Sequence, residues 1–209
     1  MIVDPATGRA NQKRRTRTAI VDACRALIQS GDPVTMPGVA EAAHVSEATA
    51  YRYFPDIASL LSEAVVGLWP SPTEILGPVA DSRDPVERVG FLADVYLTRV
   101  QAYQGAIRAM MSATITRPEL GAARPRHRFA YIDEALAPLA ETLAGDEAAF
   151  AQLKRDLAVV VSPEALFSLV DLCGLTPEAA TDSIVRTAAT LTRAALPMEP
   201  EDRRVRRRP

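Results

Sequence analysis

The chain has little of what catalysis or membrane anchoring usually needs. Of 209 residues only two are cysteine and two are histidine, and 5% are aromatic. His44 and His127 stand beside no cysteine and no cluster of acids, so no metal-ligand spacing is present. The ten glycines are scattered and never form a phosphate-cradling loop. The sequence is therefore read as no enzyme, and no cofactor and no metal site are expected. No run of about 18 apolar residues occurs, which excludes a transmembrane helix. The N-terminus lacks the apolar stretch of a secretory signal, so the expected location is cytoplasmic. Cys24 and Cys173 each fall in an apolar helical pattern and are expected to be buried free thiols. Nowhere do apolar and polar residues alternate as in a half-buried strand. The net charge of -2 is too small to point to nucleic acid by itself.

What the chain does have is apolar residues at helical spacing, 48% of the total and rich in alanine. Its charge is also unevenly placed. Between residues 9 and 17 stand Arg9, Lys13, Arg14, Arg15 and Arg17, with no acid among them. A second run of arginines closes the chain from Arg203 to Arg208. A third basic stretch, Arg124-Pro125-Arg126-His127-Arg128, reads as a solvated loop.

Punctuation divides the helical pattern. Residues 1 to 14 are polar and expected to be a flexible basic arm. From Thr16 to Ser30 the residues Ile20, Ala23, Cys24, Leu27 and Ile28 share one helical face, and Gly31 and Pro33 end it. Thr35 is the expected N-cap of a short helix that buries Val39 and Ala40. His44-Val45 makes a turn, and Ser46 is the N-cap of a second short helix ending at Tyr53, because Phe54 precedes Pro55. Asp56 caps a fourth helix with Leu60, Leu61, Ala64, Val65 and Leu68 apolar. Pro70, Pro72, Gly77 and Pro78 mark a linker up to about Asp84. One long helix is expected from Pro85 to about Ile115, then helices at 129–143 and 146–161. Two more start at Ser162-Pro163 and Thr176-Pro177, each a cap followed by proline at the first helical position. The expected fold is all-α, with a three-helix DNA-binding domain and a larger helical domain. The expected boundaries are an arm over 1–14, the first domain over 15–62, the second over 63–196 and an arginine-rich tail over 197–209.

A supporting helix followed by short helix, turn and short helix is a helix-turn-helix. The last of these helices places side chains of its N-terminal half in the major groove. Ala50 and Phe54, four residues apart, would face the core, leaving Glu47, Ala48, Thr49 and Arg52 outward. Thr49 can meet a base edge or a thymine methyl, and Arg52 can pair with guanine. Tyr51 and Tyr53 can donate to phosphate oxygens. Thr35 and Ser46 join them in the candidate DNA-contact set. Lys13, Arg14, Arg15 and Arg17 would add a salt-dependent term that ignores sequence.

Residues Ile20 to Ala23, Thr35, Val39-Ala40, Val45-Ser46, Thr49, Tyr51-Arg52-Tyr53-Phe54-Pro55 and Leu60-Leu61 resemble the N-terminal domain of the tetracycline-repressor (TetR/AcrR) family. Two positions depart from it. His44 stands where the family commonly has glycine, at a turn that favours positive φ. Ile57 stands where the family commonly has a lysine, so one phosphate contact is missing. The resemblance implies a homodimeric repressor on a near-palindromic operator of double-stranded DNA. It also implies a C-terminal pocket whose small-molecule effector releases the DNA. The dimer would be built from the last two helices, about 163–173 and 177–196.

In the second domain a pocket of aromatics and methionine would suit a hydrophobic or amphipathic ligand. The candidate residues are Tyr96, Tyr103, Met110, Phe129 and Phe167, the first three on one face of the expected long helix. Two rival readings are a helical sensor or interaction protein with a degenerate helix-turn-helix, and an activator of the same fold. Deleting residues 1 to 15 is expected to weaken binding to all DNA sequences alike and to flatten its salt dependence, measured by titration at several salt concentrations.

Overall fold

The computed structural model describes residues 5–116, 127–142 and 146–196. The tail over 197–209 and the basic residues Arg124 to Arg126 lie outside the described residues. Twelve α-helices occur among the described residues, and no strand. None of these helices is long and apolar enough to cross a membrane. The chain divides into two compact units, one of residues 1–70 with 100–126 and the other of 71–99 with 127–209.

The first unit holds α1 (Pro5–Ser30), α2 (Met36–Ala42), α3 (Glu47–Tyr53) and α4 (Ile57–Val66). Each helix after the first begins where the sequence offers a cap. Thr35, Ser46 and Asp56 accept from the backbone N–H groups of Gly38, Thr49 and Ser59. These bonds satisfy donors that the first helical turn leaves open. α1 extends back to Pro5, so the basic segment is a continuation of the helix rather than a separate flexible arm.

The core of this unit follows the helical stripes. Ile20, Cys24 and Ile28 of α1 meet Val39 and Ala40 of α2, Ala50 and Phe54 around α3, and Leu60, Leu61, Ala64 and Val65 of α4. Burying each large apolar side chain contributes about 1.5–3 kcal/mol, so this cluster dominates the stability of the unit. Burial also pushes the Cys24 thiol up to about 12, which keeps it protonated and inert.

Arg25 reaches from α1 to the end of α4, donating to the Ala64 carbonyl at 3.1 Å and to Asp22 at 3.1 Å. It thereby answers a carbonyl that the last turn of α4 cannot pair. Gly67 makes room, because an added Cβ would run into the Arg25 guanidinium.

The first unit is completed from further along the chain. The expected long helix is two, α6 (Pro85–Ala102) and α7 (Gln104–Thr116), broken at Tyr103. No proline marks the break, so the apolar spacing runs through it unchanged. α7 packs against α4, and Ala106 and Met110 enter the same core as Leu60 and Leu61. The first unit is thus wider than the 15–62 segment read from sequence.

The second unit begins in the segment expected to be a linker. There, Ser71 and Glu74 form a reciprocal capping box that starts α5 (Pro72–Ile75), and a 3-10 turn follows at Gly77–Val79. Ile75 and Leu76 are buried. The remaining helices are α8 (His127–Ala135), α9 (Ala137–Thr142), α10 (Glu147–Val160), α11 (Pro163–Asp171) and α12 (Pro177–Ala195). α12 packs on α10 and α11, while α8 packs on α5 and α10. Ser162 and Thr176 cap α11 and α12 as expected, with proline at the start of each.

Cys173 is exposed, contrary to the expectation of a buried thiol. Cys173 lies two residues beyond the end of α11, so the apolar stripe of the helix does not reach it. The helix ends at Asp171, and Gly174 turns the chain away with φ of 67°.

The helix expected over 129–143 is also two. Pro138 has no N–H to give the Glu134 carbonyl, and its ring crowds that carbonyl. Arg88 fills the gap. The residue is 4% exposed, and its guanidinium donates to Glu134 O at 2.7 Å, Ala135 O at 3.1 Å and Val79 O at 2.9 Å. One buried side chain therefore closes the end of α8 and the 3-10 turn together. Arg88→Met keeps the stem but orphans these carbonyls. It is expected to cost about 3 kcal/mol, lowering Tm by roughly 6–12 °C in thermal unfolding. Arg186→Met on the exposed side of α12 is the control and is expected to stay within about 0.5 kcal/mol.

Candidate nucleic-acid interface

The α2–α3 turn sets the geometry of the site. α2 ends with Ala43 in a right-handed conformation, and His44 follows with φ of 53°. Its N–H donates to Glu41 O at 3.0 Å, and the Val45 N–H donates to Ala40 O at 2.9 Å. This double bond pattern is a Schellman motif, which normally uses glycine at the left-handed residue. Val45 then packs against the core cluster. The turn is closed on both backbone and apolar sides, so the angle between α2 and α3 is set locally.

α3 is seven residues long and its two ends are held differently. At the start, Ser46 accepts from the Thr49 N–H at 3.2 Å and donates its own hydroxyl to Thr49 Oγ1 at 3.0 Å. At the end, Phe54 is extended and buried, and its N–H donates to Ala50 O at 2.9 Å. Ala50 and Phe54 form the inward face. Glu47, Ala48, Tyr51 and Arg52 are exposed, and Thr49 and Tyr53 are half-buried beside them. The Arg52 guanidinium lies 5.5 Å from the centre of the Tyr53 ring, a cation–π contact that holds it along the helix side. Thr35 lies exposed at the start of α2, its hydroxyl oxygen accepting from Gly38 N–H at 3.2 Å.

The basic residues separate into two kinds. Lys13, Arg14 and Arg15 are exposed on α1, with Arg14 donating to Asn11 at 3.2 Å. Arg17 is also exposed but is tied to the protein's own groups. It forms a two-pronged pair with Glu63, donates to the Tyr53 carbonyl at 3.4 Å and stacks on Phe54 at 4.4 Å. Nothing in the local sequence shows this, because Glu63 lies 46 positions away.

The structure does not bring the five ligand candidates together in one unit. Tyr103 and Met110 pack on the helix-turn-helix core of the first unit. Tyr96, Phe129 and Phe167 belong to the second unit. There Tyr96 meets Tyr131 edge-on at 6.2 Å, and desolvation pushes its phenol well above the usual range. Phe167 is buried and Phe129 is exposed. Burial lowers the His127 imidazole below its ordinary value.

Residues 20–64 match the family model described as Bacterial regulatory proteins, tetR family. The N-terminal domain belongs to the tetR family. No curated protein matches the chain. The matched segment runs from Ile20, buried in α1, to Ala64 in α4, and so takes in the capped α3 and the packing that holds it. The chain is a DNA-binding transcriptional regulator with a tetR-type helix-turn-helix.

His44 carries a measurable cost in this domain. A left-handed residue with a Cβ costs about 1–2 kcal/mol, and glycine gives back roughly 0.5–1 through its looser unfolded chain. His44→Gly is therefore expected to gain about 0.5–1 kcal/mol, or roughly 1–4 °C in Tm. His44→Val should lose stability, since a β-branched residue fits that region poorly. A fall in Tm for the glycine variant would contradict the strain assigned to the turn.

Proposed function

We propose that this regulator is a homodimeric repressor that reads a palindromic operator and is released from it by a small hydrophobic or amphipathic ligand. The observation that carries the DNA-reading part is the capped α3. It keeps Ala50 and Phe54 inward while Glu47, Ala48, Tyr51 and Arg52 face solvent. With Thr49, Ser46, Thr35 and Tyr53 these side chains form the DNA-contact set, and Lys13, Arg14 and Arg15 add charge from α1.

The dimer is proposed to form through α11 and α12. α11 turns Leu166 and Phe167 inward, leaves Leu169 and Val170 half-buried, and is followed by Leu172, 84% exposed. A second copy would cover this apolar edge. A two-fold dimer then presents its two reading helices to half-sites about one helical turn apart or a multiple of it.

The ligand is proposed to bind in the second unit beside Tyr96, Phe129 and Phe167. It would act as a population shift: only a difference in its affinity for DNA-competent and released states can move the equilibrium. α4 is the proposed lever, because it packs on α1 on the reading side and on α7, which resumes the chain after the second unit's first segment.

The test is selection of binding sites from random DNA with the purified protein at two salt concentrations. An inverted repeat is the expected outcome, and its absence would sink the palindromic operator. On that repeat Arg52→Ala is expected to cost about 1–3 kcal/mol and to relax preference at one base position. Unchanged base preference would mean that α3 presents a different face to the DNA.

A further inference from the structure

We propose that Arg17 is a positioning residue for DNA reading: held by Glu63, the Tyr53 carbonyl and the Phe54 ring at once, it fixes the C-terminal end of α3 to α1 and α4. The proposal rests on α3 being the reading helix.

The reading helix has only seven residues, too few to hold its own shape or direction in water. Its direction depends on what grips each end. The start is gripped by the His44 turn and the Ser46 cap. At the other end Pro55 follows immediately, so the last carbonyls of α3 have no further helical N–H to accept from. Tyr53 O is one of these, and Arg17 Nη1 donates to it at 3.4 Å. The same guanidinium donates from Nε to Glu63 Oε1 at 3.2 Å and from Nη2 to Oε2. Its Cζ stands 4.4 Å over the ring of Phe54, the buried residue that ends α3.

One planar group thus joins α1, the end of α3 and α4. An exposed ion pair alone would contribute little. What distinguishes this one is that the fork shape of arginine reaches a carboxylate, a carbonyl and a ring together, which an ammonium cannot do. The pairing also argues against a direct role at the phosphates. Glu63 cancels the charge of Arg17 and would itself repel a phosphate brought to the same place. Arg17 therefore acts through α3, while Lys13, Arg14 and Arg15 supply the salt-dependent term.

The two roles differ in what they do to specific and non-specific binding. Loss of a phosphate ligand weakens binding to every duplex and flattens the salt slope by about 0.9. Loss of a positioning residue weakens the selected site more than random DNA, and a charge-conserving change such as Arg17→Lys leaves random DNA and the slope alone. The experiment compares Arg17→Gln, Arg17→Lys, Glu63→Gln and the exchange Arg17→Glu with Glu63→Arg in the full chain. Each is titrated with the inverted repeat from site selection and with a random duplex of equal length, at several salt concentrations. Amide exchange of Phe54 in the free protein is followed alongside.

Arg17→Gln and Glu63→Gln are each expected to weaken the repeat about tenfold beyond the small, opposite changes that their altered charge makes on random DNA. Arg17→Lys, which keeps the charge and folds most safely, should still lose affinity for the repeat. The exchanged pair should recover most of it. Faster exchange at Phe54 N–H, which bonds Ala50 O, is expected in Arg17→Gln. Tighter binding to both duplexes in Glu63→Gln, with a flatter slope in Arg17→Gln, would overturn the proposal and make Arg17 a phosphate ligand. Unchanged Phe54 exchange would overturn it as well. If no repeat is recovered at all, the reading of α3 fails, and the exchange data still decide whether the clamp exists.

Discussion

A helix leaves its last carbonyls unpaired, and a protein made of short helices must answer that need many times over. Arginine answers it here at the places that matter most. Arg17 serves Tyr53 at the end of α3, Arg25 serves Ala64 near the end of α4, and Arg88 serves Glu134 and Ala135 at the end of α8. In each case the cation also meets the negative end of a helix dipole. In each case the arginine comes from a different helix, so closing the end also docks two elements. Hydrophobic burial supplies most of the stability, but it is non-directional. These fork-shaped contacts give the helices their angles.

Beginnings and ends of helices were unequally visible in the sequence for the same reason. An N-cap is a local device: Thr35, Ser46, Asp56, Ser162 and Thr176 sit one residue before the helix they start, and all could be read directly. The partner that closes a C-terminus is remote, 39 positions away for Arg25 and 46 or 47 for Arg88 at the end of α8. Nothing in a window of sequence marks Arg88 as buried. The core stripes of α1, α2 and α4 were legible because 3.6-residue periodicity is a short-range signal. The break at Tyr103 was not, since apolar steps of three and four continue across it. Cys173 was misplaced because periodicity says which face a residue lies on but not where the helix stops.

At the DNA-reading end, the same division separates what specifies from what supports. Glu47, Ala48, Thr49 and Arg52 could be assigned to an outward face from spacing alone, and the structure exposes or half-exposes each. The supporting contacts needed the fold: the left-handed His44, the Ser46–Thr49 hydroxyl bond and the buried ring of Phe54. Glu47, Ala48, Tyr51 and Arg52 can be varied without disturbing this frame, because Ala50, Tyr53 and Phe54 carry the inward packing and Thr49 takes part in the cap. The exposed face of α3 and the packing that holds the helix are therefore drawn from nearly separate sets of residues.

The order in which the chain visits its two units limits how such a regulator can be recombined. Residues 71–99 leave for the second unit, and residues 100–126 return before the chain leaves again. Ala106 and Met110 on the returning helix are part of the first unit's core, where α7 packs on α4. A single cut after Pro70 would therefore strip those core residues from the first unit and leave them attached to the second. Exchanging the first unit for another calls for three matched junctions, after residues 70, 99 and 126, so the two units are woven into one chain rather than joined at a single linker.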